Sequence, residues 1–257
     1  MTKVSIIPLE RAPTMRPPAS SRGLIESRAY LGKASDPIHL QYHCASPGAE
    51  MSISGDPADR LMYVWKGSIQ AGGATLAPGS SAIVEFGASL DLTASAEGAT
   101  LLVFNVSERR PGDRKGGHVH LLPSETVPRT ASLHGSAGIG GGLHADAACP
   151  TCSVWLHEQV YQMADKETAL HSHSEDEVIF VTGGAIRLGQ RVYGPGVALA
   201  IAANVKYGFH SGPGGLKFIN FRGASPTYTL ADGSMVLDEA ELWRSALGRP
   251  SYLAPGE

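Results

Sequence analysis

The chain is 257 residues long, with a formal net charge of −3, 42% apolar and 18% charged residues, and 31 glycines and 17 prolines spread along its length. That length supports one large or two small domains with a buried core, and many turn formers between short apolar runs favour an all-β protein over a helical one. The charge balance excludes the basic footprint of a nucleic-acid binder, and no run reaches the roughly 18 apolar residues of a membrane helix.

Residues 1–22 read as an N-terminal arm: proline and arginine interrupt MTKVSIIPLERAPTMRPPASSR before an apolar run of signal-peptide length can form. Residues 23–106 carry short runs such as LMYVW and LLVFN closed by glycine-rich turns, which predict the strands of a first domain. Residues 107–150 read as a connecting segment, with the charged turn ERRPGDRKGG, a strand near HVHLLP and the loose stretch HGSAGIGGGLHADAACP. Residues 151–257 predict a second set of strands (VIFVTG, FINF) and one short helix in LDEAELWRSAL. Three cysteines, two of them in CPTC, are not a disulfide framework, and the expected compartment is the cytoplasm.

The chain also repeats itself. DRLMYVWKGSIQAGG begins at Asp59 and DEVIFVTGGAIRLGQ at Asp176, 117 positions later; Pro78 and Pro195, and Gly98 and Gly215, keep the same offset. Residues 38–106 and 155–223 therefore read as two copies of one unit, a duplicated domain and not a solenoid.

The chemistry falls in the second copy. LHSHSEDEVIFVTGGAI carries His171, His173 and Glu177, which share one parity. On a strand, residues two apart point to one face, so two imidazoles and a carboxylate converge as an N/O site for a borderline divalent metal. This segment resembles the first motif of the cupin superfamily, in which HxH, three or four residues and Glu precede a glycine, here Gly184; Asp165 stands where that family usually has a glycine. The resemblance implies a duplicated cupin, or bicupin, of two double-stranded β-helix (jelly-roll) barrels.

The family's second motif implies a further ligand about eleven residues after a glycine. From Gly196 that count reaches Tyr207, and the nearby histidine is His210. Either His210 completes the site, re-aimed by a bulge at Gly208, or two histidines and Glu177 bind the metal with Tyr207 beside it. At the 117-residue offset the first copy offers Ser54, Asp56, Arg60, Leu90 and Thr93 instead, so its barrel is expected to be metal-free and structural.

Other features carry less. Cys149 and Cys152 have the spacing of a zinc half-site or redox pair, but without a second CxxC or a thioredoxin-like pattern they read as a plain turn. His118 and His120 read as solvated strand residues, and GIGGGLH lacks the strand and helix of a dinucleotide loop. Alternation along VWLHEQVYQ sets Trp155, His157, Gln159 and Tyr161 on one face, a candidate pocket wall.

The expected protein is a metal-dependent enzyme acting on a small organic molecule, with one divalent ion per chain: iron first, with manganese, nickel or zinc as alternatives. A two-His-one-carboxylate iron site suits a dioxygenase of an enolisable or aromatic compound. The alternatives are a non-redox isomerase, cyclase, lyase or hydrolase using Tyr207 or His210 as proton shuttle, and a non-catalytic ligand-binding protein. The expected partner is a small-molecule substrate, without nucleic acid or membrane; a homodimer is compatible with this reading.

Overall fold

The computed structural model describes residues 4–110, 112–146 and 149–254. These form two compact units. The N-terminal unit comprises Arg11–Val127, Ala148–Val154 and Pro250–Glu257; the C-terminal unit comprises Met1–Glu10, Pro128–Ala147 and Trp155–Arg249. Both are built of antiparallel strands, as the turn-rich composition predicts, and no helix among the described residues is long and apolar enough to cross a membrane.

The main sheet of the N-terminal unit runs Val119–Leu122, Ser81–Val84, Arg60–Ala71, Ser89–Val106, Ile38–Ala45, Ile25–Leu31, Thr14–Met15. That of the C-terminal unit runs Val4–Pro8, Val197–Ile201, Glu177–Leu188, His210–Arg222, Trp155–Tyr161, Ile139–Ala145, Arg129–Thr130. A further three-stranded sheet joins His171–His173, Thr227–Leu230 and Val236–Asp238.

The 117-residue offset reappears in the strand register. Arg60 pairs with Asn105 and Met62 with Val103; Glu177 pairs with Arg222 and Ile179 with Asn220. Each ladder then shifts register around a glycine, Gly67 in one and Gly184 in the other. Both have left-handed φ, 63° and 61°. A Cβ would stand 2.0 Å from the Gly98 carbonyl oxygen at Gly67 and 2.4 Å from that of Gly215 at Gly184. Only glycine fits such a kink, which is why the repeat keeps it.

One alignment made from the offset slips. In the structure Leu90 pairs with Ile53, as Tyr207 pairs with His171, so Ile53 and not Ser54 takes the place of the first histidine. The connection from Ile53 to Arg60 is one residue longer than that from His171 to Glu177. The interior of the N-terminal unit is apolar, with Met51, Ile53, Met62, Leu101 and Val103 in one cluster.

The stretch 1–22, read as an arm, contributes Val4–Pro8 to the sheet of the C-terminal unit and Thr14–Met15 to that of the N-terminal unit. Val4–Pro8 holds the outer place in one sheet that Val119–Leu122, from the expected connecting segment, holds in the other. The remainder of that segment supplies Arg129–Thr130 and Ile139–Ala145, the latter built on GIGGGLHA. The predicted helix spans Glu239–Leu247; Asp238 Oδ1 accepts from the Glu241 amide at 3.1 Å, and Gly248 follows its last residue.

Candidate functional site

In the C-terminal unit, a cavity of about 400 Å³ is lined by His171, His173, Tyr207, Asn220, Arg222 and Glu239 together with an aromatic wall. His171, His173 and Glu177 are all buried, at 4%, 5% and 1% exposure. Short-strand alternation brings the two imidazoles to one side, as expected. Asp165, in the usual glycine position, has φ of 53°, a left-handed conformation that aspartate tolerates better than most residues.

The second ring nitrogen of His171 is hydrogen-bonded, which fixes that imidazole, while that of His173 faces a carboxylate. His171 Nδ1 donates to the Ala169 carbonyl at 2.6 Å, and His173 Nδ1 lies 3.0 Å from Glu239 Oε2. His171 Nε2 is thereby left as an acceptor, the tautomer a metal requires. His173 Nε2 lies 3.9 Å from Glu177 Oε2, and Glu177 Oε1 is buried without a hydrogen-bond partner. Two imidazole nitrogens and an unengaged carboxylate oxygen are a donor set that fits a divalent transition metal.

Two charged residues absent from the sequence reading shape the electrostatics. Arg222 Nη2 donates to Glu177 Oε2 at 2.7 Å, Asn220 Nδ2 donates to the same oxygen at 2.9 Å, and Arg222 Nη1 lies 3.3 Å from Glu239 Oε2. Burial alone would raise the Glu177 and Glu239 carboxyls, but Arg222 beside both holds them below the usual carboxylate range. Burial keeps His171 neutral and pushes His157 down to about 3. His157 Nδ1 accepts from Trp155 Nε1 at 3.0 Å.

Tyr207 lines the cavity with its ring 4.4 Å from that of His171. Burial, then the Glu177 carboxylate, raises its hydroxyl well above the ordinary tyrosine value, so it stays protonated. Phe209 lines the cavity as well, so the alternation continues undisturbed through Gly208. His210 consequently falls on the opposite face, pairs in register with Arg187 and does not line the cavity. Of the two alternatives read from the sequence, that parity places Tyr207 and not His210 beside the imidazoles.

Of the face read along VWLHEQVYQ, His157, Gln159 and Tyr161 line the cavity, while Trp155 packs with Trp243 and Leu143. Asn220 and Arg222 had one legible signal: with Phe218 they share the parity of a single strand face in LKFINFR. Glu239 had none, because its strand and helix are joined to the site only through tertiary packing.

The N-terminal unit holds a different constellation. Glu85, His120, Cys149 and Cys152 place their ligand atoms within 4.8 Å of one another, and among the described residues no other group of three or more His, Cys, Asp or Glu side chains does so. His120 is therefore not the solvated residue expected: its Nε2 donates to Glu85 Oε1 at 2.6 Å. Cys149 is not in a plain turn either. A hydrogen bond from Cys152, then those of His120 and Thr151, bring its thiol down to about 3.

No protein-family model matches the chain, and no curated protein matches it. Solved structures do. A variant of Bacillus subtilis oxalate decarboxylase matches with a TM-score of 0.65 and 13% identity, over 90% of this chain and 80% of that one. The Lactobacillus farciminis oxalate decarboxylase formate complex matches with a TM-score of 0.64 and 11% identity, over 85% and 86%. A Bacillus subtilis oxalate decarboxylase structure concerned with Mn(II) centres matches with a TM-score of 0.62 and 13% identity, over 87% and 78%. At such identities the likeness shows the fold alone, and that fold is the cupin fold.

Proposed function

We propose that the chain is a bicupin enzyme that acts on a small organic acid by non-redox chemistry, as a lyase or isomerase. The repeat covers residues 38–106 and 155–223; the shared order of the central strands, their register and the kink glycines at one offset support duplication. In this reading residues 107–150 link the copies and only the C-terminal copy keeps the repeat's metal site.

The single observation that carries the function is the buried, unpartnered Glu177 Oε1, whose carboxylate lies 3.9 Å from His173 Nε2 behind the cavity that His171 and His173 line. These three residues would hold a divalent transition metal, which supplies Lewis acidity to stabilise negative charge developing on a substrate. The chain's own groups complete the chemistry. Glu177, Glu239 and the lining Glu167 against Arg222 leave two negative charges in excess, which a divalent ion would neutralise, so that an acid would be held through the ion itself. Arg222 and Asn220 hold Glu177 in place. Protonated Tyr207 is placed to donate to, or return a proton to, a substrate atom beside the imidazoles.

Oxalate decarboxylases are the fold relatives, and a lyase reading agrees with them. Oxalate itself is a poor match for this cavity, which has about 400 Å³ and the rings of Tyr161, Phe209, Phe218 and Tyr228 along its wall. An acid with an aromatic or alkyl body, such as a β-keto or aryl acid, fills such a space. The same aromatic wall favours the second reading, a dioxygenase of an enolisable or aromatic compound.

The test is metal analysis of the purified chain, followed by assays on such acids with and without oxygen. Carbon dioxide release or isomerisation that proceeds anaerobically supports the proposal. Stoichiometric oxygen uptake replaces it with the dioxygenase, and an absence of metal at His171, His173 and Glu177 removes both.

A further inference from the structure

The cysteine-bearing cluster lies in the N-terminal unit, at none of the positions that the repeat aligns with His171, His173 or Glu177, and the function proposed above makes no use of it. We propose that Glu85, His120, Cys149 and Cys152 form a structural zinc site. Two sulfurs, one imidazole nitrogen and one carboxylate oxygen within 4.8 Å of one another are a four-donor set of zinc chemistry. The CxxC turn supplies both sulfurs from one segment, while Glu85 follows the strand Ser81–Val84 and His120 stands on the neighbouring strand Val119–Leu122.

Three of the four donors are buried and the His120 side chain is 20% exposed, an enclosure that suits a structural zinc site better than a catalytic one. Glu85 and Cys152 are 0% exposed and Cys149 is 8% exposed. The surrounding groups aim the donors. Thr151 Oγ1 donates to Glu85 Oε1 at 2.5 Å and the His118 amide donates to Glu85 Oε2 at 2.9 Å. Asp59 brackets two of the ligand-bearing segments, accepting from the Phe86 amide at 2.7 Å and from the Ser153 amide at 3.4 Å.

A metal also answers a need of the fold. Residues 149–152 carry no strand, and their main chain is tied to the rest of the unit through the Gly116 amide, which donates to the Thr151 carbonyl at 3.2 Å. Zinc would bind the two thiolates, the Glu85 carboxylate and neutral His120; the Cys152 thiol proton leaves to solvent and the His120 ring proton moves from Nε2 to Nδ1, so binding weakens as pH falls. Both cysteines are free thiols in the structure, which leaves their sulfurs open to a metal. With the cavity site also loaded, the chain would carry two ions instead of the one expected from its sequence.

The experiment loads the metal-stripped full-length chain with cobalt(II), in place of zinc, and records the near-ultraviolet thiolate-to-cobalt charge-transfer band. The band is expected in the wild type, in Cys44→Ser and in His171→Ala, and is lost in Cys149→Ser and Cys152→Ser. Thr151→Val keeps all four ligands and should weaken zinc by about 10- to 100-fold, the range for a group that orients a ligand. Three results would overturn the site: a wild-type cobalt complex without the sulfur band, a band that survives both cysteine substitutions, or one thiol instead of all 3 titrating in the denatured chain, which would mean a Cys149–Cys152 disulfide. The wild-type spectrum and thiol count need no variant, so a misfolded substitution leaves the test intact.

Discussion

Arg222 donates from Nη2 to Glu177 Oε2 at 2.7 Å, with both side chains 1% exposed, and the register that joins them recurs as Arg60 opposite Asn105 in the other unit. The positions that the 117-residue offset aligns thus hold a carboxylate with a cationic partner in one unit and a cation with a neutral partner in the other.

Removing that cation leaves two buried carboxylates facing each other's charge. Arg222→Met should destabilise the chain by about 3–5 kcal/mol, the range for breaking a buried ion pair. Urea denaturation monitored by tryptophan fluorescence measures it. Added divalent metal should recover part of the loss by restoring positive charge beside Glu177. A loss under about 1 kcal/mol would show that the pair adds little to stability.

Tyr207 and His210 should behave oppositely to a three-histidine site. Tyr207→Phe is expected to keep metal while turnover falls about 10²-fold, the scale of an acid–base contribution. His210→Ala, on the far face of its strand, should leave both metal content and turnover unchanged. Metal analysis beside steady-state rates decides it, and loss of metal in His210→Ala would return that residue to the site.

Acid should destabilise the fold before ordinary carboxylates titrate. Burial lowers His43 to about 4 and both His144 and His157 to about 3, so the native chain holds them neutral while the unfolded chain protonates them near 6.5. A lowered folded-state value means the contribution is complete above about 6.5 and is lost progressively as pH falls through the window down to 4 or 3. With three such residues the slope approaches about 4 kcal/mol per pH unit. His120 has the opposite sign: burial would lower it, but Cys149 and Glu85 raise it, so its share is lost as pH rises. Denaturation series between pH 7 and 4.5 should show a steep fall; a flat profile would contradict neutral burial of these rings.

The kink glycines should respond alike. Gly67→Ala and Gly184→Ala each force a side chain into left-handed backbone and against a carbonyl oxygen. Each should cost at least about 1–3 kcal/mol, the range for a residue held in a sparsely populated conformation. Thermal melts compare the two directly, and a silent substitution at one site alone would separate the two units.

The sequence carried a good deal of this. Strand content followed from short apolar runs between glycine turns, and the repeat was visible because kink glycines and strand edges cannot drift without breaking the register. His171 and His173 were legible as one face because residues two apart on a strand share it, whereas Glu177 opens the next strand, in another sheet. Tyr207 was reached by counting from Gly196, since a strand of fixed rise carries a count into a position. Local patterns of this kind are dictated by backbone geometry, which the chain specifies residue by residue.

What lay beyond it depended on contacts between distant segments. Whether Tyr207 or His210 faced the cavity turned on a bulge at Gly208, and only the packed strand showed that alternation continues to Phe209. Arg222 and Glu239 enter beside Glu177 through pairing and packing across 45 and 62 positions of sequence. Glu85, His120 and Cys149 meet because Val119–Leu122 pairs with Ser81–Val84 and the cysteine turn folds back on that unit. Local spacing determines which face a side chain takes, whereas the tertiary fold alone decides what stands opposite it, because burial and charge pairing are settled between segments that the sequence does not place side by side.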